Sequence, residues 1–186
     1  DAKGVRLQAS HAKGAFYGLQ SLLSLFPANF QASQSISLPF VQVQDAPRYA
    51  YRGLMLDISR NFKDLQTLKK YVDVMARYKL NKLHLHFIDD EGWRLEIPSL
   101  PELTQIGANR TPQYADGSGI QPSYGSGATV KEKQYLSKEE FKELLRYANE
   151  RFVTVIPEVE TPGHARAAVK AMEARYHRLL KAGQKE

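Results

Sequence analysis

The sequence predicts an α/β fold: the first three βα units of a (β/α)8 TIM barrel, incomplete as a barrel, preceded by the end of a small α+β domain. Three observations carry this expectation. After Tyr49, apolar runs of strand length alternate with amphipathic helical stretches, an order that builds parallel sheets through right-handed crossovers. The run Phe152–Glu158 (FVTVIPE) is apolar almost throughout, as suits a strand covered on both faces. Lys82–Ile97 (KLHLHFIDDEGWRLEI) opens with period-2 alternation and runs straight into paired acids, and strand ends of this kind are where parallel-sheet folds hold ligand-contacting groups. Eight strands close a barrel, in about 250 residues. A chain of 186 residues with three such strands is therefore expected to be an open α/β domain or part of a larger barrel.

Taken in order, Gly4–Ala9 alternates as a short strand, and Gly14–Phe26 sets Phe16, Leu19, Leu22, Leu23 and Phe26 at helical spacing before Pro27 stops it. Ile36–Gln44 reads as a further strand, with Pro39 confining it to an edge or bulge. These make the C-terminal part of a small α+β domain over residues 1–47, joined through Asp45–Tyr49 to the barrel portion over 48–186. Arg52–Ile58 is the first barrel strand. Asp64–Tyr78 follows as a helix with Leu65, Leu68, Val72, Met75 and Tyr78 on one stripe. Lys82–Ile88 is the second strand, and Asp89–Gln134 is a long loop with its tip at Gly117–Thr129 expected to be mobile. Ser137 and Glu140 form a capping box that starts a helix carrying Phe141, Leu144, Leu145 and Ala148 inward. Phe152–Glu158 is the third strand and Ala165–Ala182 the closing helix.

Composition narrows the function classes. With 42% hydrophobic and 25% charged residues the balance is that of a globular protein. The net charge of +6 comes from Lys and Arg dispersed among Glu along helices, without the dense runs or aromatic interleaving of a nucleic-acid surface, so no nucleic-acid partner is expected. Cysteine is absent, which removes disulfides and thiolate metal ligands. No apolar run approaches the roughly 18 residues of a membrane span, and no targeting segment is present in these residues.

Five sets of residues have chemistry to offer, each with a structural alternative. Arg52, flanking the first barrel strand, has the donor fork to grip a pair of sugar hydroxyls or a carboxylate, or is a surface residue. Asp89 and Asp90 suit metal binding, acid/base work or acceptance of hydrogen bonds from hydroxyls, or begin a turn; Asp90 shares the nominal face of His84 and His86. His84 and His86 have the spacing of a barrel metallohydrolase site, completed by Asp90 and His164, or are core histidines held by hydrogen bonds. Glu158, Glu160 and His164 follow the third strand, where Pro162-Gly163 would turn His164 back onto Glu160, or they cap the last helix. Trp93 stacks on a sugar face or packs the loop.

Three motifs in order are more specific than any of these alone. YRGLMLDISRNF (Tyr51–Phe62), LHLHFIDDEGWRLEI (Leu83–Ile97) with PELTQIGA (Pro101–Ala108), and VIPEVETPGHARAA (Val155–Ala168) closely resemble glycoside hydrolase family 20, the β-N-acetylhexosaminidases and chitobiases. GAFYGLQSLLSLF (Gly14–Phe26) is similar to the end of the small domain that precedes the barrel in that family. The resemblance implies a retaining exo-glycosidase whose nucleophile is the substrate's own 2-acetamido oxygen, an exception to the two-carboxylate scheme. It implies Arg52 and Asp90 as sugar-binding residues and Glu160 with His164 as a dyad supporting the acid, with no cofactor and no metal. The partner is then an N-acetylhexosamine-containing oligosaccharide or glycoconjugate, in a periplasmic or secreted setting. The family's Gly-Gly-Asp-Glu-type acid pair does not occur in this sequence, so a second polypeptide or a missing C-terminal part is expected to complete the barrel. The runner-up readings are the metallohydrolase built on His84 and His86 and a non-catalytic carbohydrate-binding fragment.

Overall fold

The computed structural model describes residues 4–27, 29, 31, 35–122 and 133–184. The elements run α1 (Ala12–Leu23), β1 (Gly53–Asp57), α2 (Leu65–Arg77), β2 (Lys82–His86), β3 (Ile88–Asp89), β4 (Gly92–Trp93), α3 (Glu102–Gln105), α4 (Lys138–Asn149), β5 (Thr154–Glu158) and α5 (Arg166–Lys181). The fold is α/β with a parallel sheet, ordered β1-β2-β5. The register sets Met55, His84 and Ile156 in one row and Asp57, His86 and Glu158 in the next, at the carboxyl end.

Alternation divides the sheet into two faces. Leu83, Leu85 and Phe87 bury against α2 and α4 through Leu68, Val72, Met75, Leu144 and Ala148, and this cluster is the core. Burying one such side chain contributes roughly 1.5–3 kcal/mol. His84 and His86 point the other way, so the opposite face is polar at its carboxyl end and apolar lower down, where Met55 is half exposed.

Both long crossover helices start as the sequence predicts. Asp64 Oδ1 accepts from Thr67 N at 2.7 Å and caps α2; Ser137 and Glu140 close the capping box of α4. The N-terminal region differs from expectation. The described parts of the stretches read as strands, Gly4–Ala9 and Ile36–Gln44, pair with no ladder; α1 alone is regular there. That helix leans on the amino end of the sheet, with Phe16 against Phe152 at 5.3 Å between ring centroids. Lys79 Nζ ties it to the linker through Ser21 Oγ at 2.6 Å and Asp45.

The stretch read as one long loop is partly ordered. β3 and β4 form a hairpin turned by Asp90 and Glu91, followed by the short α3 and a single 3₁₀ turn at Tyr114–Asp116. Of the expected mobile tip, residues 123–129 lie outside the described residues.

Candidate active site

The carboxyl end of the sheet gathers Asp57 from β1, His86 from β2 and Glu158 from β5 in one register row. Above that row the chain leaves β2 at His86, passes Phe87 and enters the β3–β4 hairpin. The strand does not continue, so the two-residue parity is lost. Asp89, not Asp90, comes round to the His86 side, with Asp89 Oδ2 2.8 Å from His86 Nε2.

Asp89 is the hub of the site, with its side chain 2% exposed. Its Oδ1 accepts from the Asp90 backbone N–H at 2.6 Å and faces His164 Nδ1 at 3.1 Å. Its Oδ2 takes His86 Nε2 and, at 2.6 Å, the Arg60 guanidinium. Burial opposes ionisation of Asp89, yet the Asp90 N–H, His86, Arg60 and His164 together hold the carboxyl below the usual aspartate range. It is a fixed anion with both oxygens occupied.

Arg60 reaches this hub from the turn after β1. Asp57 Oδ1 accepts from the N–H of Ser59 and Arg60 at 3.0 and 3.1 Å, which turns the chain sharply at the strand end. The guanidinium then bridges Asp57 Oδ2 at 2.8 Å, Asp89 and Glu91 Oε2 at 2.9 Å, while its side chain stays 41% exposed. It is a cation clamped on three carboxylates with one side open to a ligand.

Two buried arginines fasten the loops that carry these groups. Arg94 directs five N–H bonds at four carbonyls, those of Ser59, Glu91, Ala108 and Gln134. Arg110 adds bonds to Ser59 O, Arg60 O and Glu91 O at 2.8 to 2.9 Å. Burial first, and the neighbouring Arg110 cation second, push Arg94 down to about 9. Gly92 is required beside it, since a Cβ there would stand 2.2 Å from the guanidinium.

The structure treats the expected site residues unequally. Arg52 lies before β1, at the amino end of the sheet, where Nε donates to Lys79 O at 2.7 Å and a terminal N–H to Tyr49 O at 2.6 Å. Its guanidinium stacks over Tyr17 at 5.5 Å. It joins α1 to the sheet and stands at the opposite end of β1 from Asp57 and the Asp89 hub. Asp90 sits beside the hub, but its Oδ1 accepts from Arg166 N at 3.0 Å and so closes the first turn of α5. His164 joins the site on Asp89 and not on Glu160; its backbone adopts φ 52°, the left-handed region. Glu160 lies instead beside Glu158 and His86. Trp93 packs its loop onto the core and donates to Leu95 O at 2.5 Å.

The metallohydrolase set does not assemble. Among the described residues the candidate donor atoms fall into two separate groups, His86 with Glu158 and Glu160, and Asp89 with Asp90 and His164; His84 is in neither. The separations at the histidines are close nitrogen–carboxylate contacts: His84 Nε2 to Glu158 Oε2 is 2.6 Å and His86 Nδ1 to the same oxygen 3.1 Å. Ligands on one tetrahedral ion at about 2.0–2.2 Å stand roughly 3.3–3.5 Å apart.

Comparison with known proteins agrees along the whole chain. The profile of glycosyl hydrolase family 20, catalytic domain, matches residues 49–186, and that of glycosyl hydrolase family 20, domain 2, matches residues 1–46. The chain is 48% identical over 182 residues to an N,N'-diacetylchitobiase of Vibrio harveyi, covering 97% of this chain and 20% of that protein. It is 43% identical over 184 residues to a β-hexosaminidase of Vibrio vulnificus, covering 98% and 21%. Among solved structures it superposes on a family 20 exo-β-N-acetylglucosaminidase from Vibrio harveyi in complex with N-acetylglucosamine. There the TM-score is 0.77 at 37% identity, over 86% of this chain and 24% of that one. It also superposes on the Streptomyces plicatus N-acetyl-β-hexosaminidase with a TM-score of 0.65 at 39% identity, over 83% and 29%. The chain thus spans about a fifth of the length of those curated relatives. A catalytic-domain match over most of its residues and a second-domain match over the remainder place it by family: the chain belongs to glycosyl hydrolase family 20.

Proposed function

We propose that this chain is part of a retaining exo-β-N-acetylhexosaminidase that removes a terminal N-acetylhexosamine from an oligosaccharide or glycoconjugate. Residues 1–47 then end the small domain, and 48–186 supply the first three βα units of the barrel, with further strands covering the face that carries Met55. The setting is periplasmic or secreted by family likeness; no helix among the described residues is long and apolar enough to cross a membrane.

The Asp89 hub supports this reading best. It joins an arginine open to solvent, Arg60, to an exposed histidine, His164, at the carboxyl ends of parallel strands. Arg60, with Asp90 beside it, is the group for sugar hydroxyls, because a fixed guanidinium offers directional donors while Asp89 and Asp57 keep it from turning away. His164, oriented by Asp89 through Nδ1, presents its other nitrogen toward solvent and supports the proton donor there. Glu160 lines the same sheet end next to Glu158.

In the reaction the 2-acetamido oxygen bonds to the anomeric carbon as the glycosidic C–O bond breaks. The leaving oxygen takes a proton from the glutamate of the Gly-Gly-Asp-Glu-type pair, a motif that does not occur in this sequence, and water then opens the oxazolinium ion with net retention.

A chimera tests the reading. Replacing the matching segment of the diacetylchitobiase relative with this chain is expected to give a folded enzyme that releases an aryl aglycone from an aryl N-acetyl-β-glucosaminide. The 186-residue chain alone is expected to release none. A soluble, folded chimera without turnover overturns the proposal.

A further inference from the structure

His86 is buried at the centre of the site, yet the reaction above gives it no part. Its side chain is 6% exposed and each ring nitrogen faces a different carboxylate: Nε2 lies 2.8 Å from Asp89 Oδ2 and Nδ1 3.1 Å from Glu158 Oε2. A neutral imidazole has one donor and one acceptor, so one of those contacts would set lone pair against lone pair. Both are attractive only when both nitrogens carry protons.

We propose that His86 is a positioning residue, an imidazolium held between Glu158 and Asp89 that fixes the Asp89 carboxylate in the orientation His164 needs. The inference rests on the hexosaminidase reading. Of the two donors on Asp89 Oδ2, Arg60 is shared with Asp57 and Glu91 and is 41% exposed. His86 is attached to the rigid end of β2 and cannot follow the substrate. Without it Oδ2 is left to Arg60 alone, with only the Asp90 N–H holding Oδ1, and the alignment with His164 Nδ1 loosens.

The surroundings agree with a cation at His86. Across the sheet it stands in register with Asp57 on one side and Glu158 on the other, with Asp89 above. Glu160 adjoins Glu158, and His84 shares Glu158 Oε2. The contact that runs the other way is Arg60, whose terminal nitrogen lies 3.3 Å from Nε2 and could donate only to an unprotonated ring nitrogen; the shorter 2.8 Å approach of Asp89 Oδ2 to the same nitrogen opposes that arrangement. Burial disfavours the protonated ring, but the hydrogen bond to Asp89 and the Glu158 carboxylate beside Nδ1 outweigh it and raise its pKa above the ordinary histidine value.

Two measurements decide the matter. The first is a ¹⁵N NMR pH titration of the histidine rings in the full 186-residue chain. Both His86 nitrogens are expected to remain protonated at a pH above the ordinary histidine value of 6.5; an unprotonated His86 nitrogen there overturns the proposal. The second is kinetic, in the family-length enzyme carrying this segment. His86→Gln is expected to lower kcat about 10- to 100-fold, the usual cost of losing a residue that orients a site ligand. KM should stay within about twofold by the same reasoning, since no sugar contact is lost. The alkaline limb that loss of the His86 proton gives the wild type should vanish. Glu158→Gln, which keeps the volume and removes one carboxylate, is expected to lower the His86 titration midpoint and reduce kcat in the same direction, and it serves if His86→Gln does not fold. An enzyme with normal turnover and an unchanged His86→Gln kcat overturns the positioning role alone. An enzyme with no N-acetylhexosaminide turnover overturns the hexosaminidase reading, and the ring titration then still decides the charge on His86.

Discussion

Replacing Arg94 with lysine keeps the charge and much of the length but removes two of the five N–H donors that the guanidinium directs at carbonyl oxygens. Those carbonyls belong to Ser59, Glu91, Ala108 and Gln134, which come from separate loops, and a single ammonium cannot span them. At least two bonds from a charged donor are lost, each worth about 1.5–3 kcal/mol, so the variant should lose about 3–6 kcal/mol. Set against the roughly 5–15 kcal/mol of a typical domain, that removes a large part of the stability. Urea unfolding followed by circular dichroism measures it, with the midpoint falling and the m-value unchanged. Amide exchange gives a local reading: the N–H groups of Trp93, Arg94 and Leu136, bonded to Gly107 O, Phe87 O and Arg94 O, should lose protection before the core of α2 does. A loss below about 1 kcal/mol would refute the reasoning, because it would mean water replaces the guanidinium at these carbonyls. Gly92→Ala should destabilise through the same contact, and the double variant should fall short of the sum of the two.

Two further outcomes separate the roles assigned above. In the chimera, Arg60→Ala should cut kcat/KM by about 10- to 100-fold, the loss of one or two charge-assisted bonds to substrate, whereas Arg52→Ala should leave kcat/KM within about twofold and lower the melting temperature instead; equal effects at the two positions would contradict the placement. The stability of the Asp89–His86–Glu158 cluster should also depend on pH in both directions. The carboxyls of Asp89 and Glu158 are lowered in the folded chain, so their contribution is present above the ordinary values of 3.8 and 4.5 and is lost as pH falls through the lower folded values. His86 is raised, so its contribution is complete below 6.5 and is lost as pH rises through the folded value. Melting curves of wild type against His86→Gln should therefore converge toward alkaline pH, and parallel curves from pH 5 to 9 would count against this account.

The regular elements were legible because each is announced by a local signal that tertiary context only reinforces. Leu65, Leu68, Val72 and Met75 of the expected stripe form the buried face of α2, whereas Tyr78, at the helix end, is exposed; Ser137 with Glu140 caps α4 where the sequence predicts. The loop after β2 was not legible in the same way. A hairpin with two-residue strands and a four-residue helix is too short to show a period. Its order comes from Arg94 and Arg110, which bind carbonyls of residues up to 51 positions away, a kind of contact that carries no sequence pattern. The strands expected in the first 47 residues fail for a different reason: alternation alone does not make a sheet without a neighbour to pair with, and among the described residues there is none.

The structure brings Asp89 rather than Asp90 onto His86, and it sets Arg52 a strand length away from that pair. Each displacement has a geometric cause. Parity along β2 favoured Asp90 only if the strand ran on, and it stops at His86, so the turn at Phe87 brings Asp89 round instead. Arg52 and Arg60 flank the same strand, Arg52 at its amino end and Arg60 past its carboxyl end, the end at which parallel-sheet folds hold ligands. The same polarity rule picks out Asp57, His86 and Glu158 as a single row, since each stands at the end of its own strand and the register aligns them. The two acids that drew attention in the sequence are therefore not a catalytic pair. Asp90 closes a helix, Asp89 is the shared acceptor of Arg60, His86 and His164, and the chemistry of the site depends on how rigidly that one carboxylate is held.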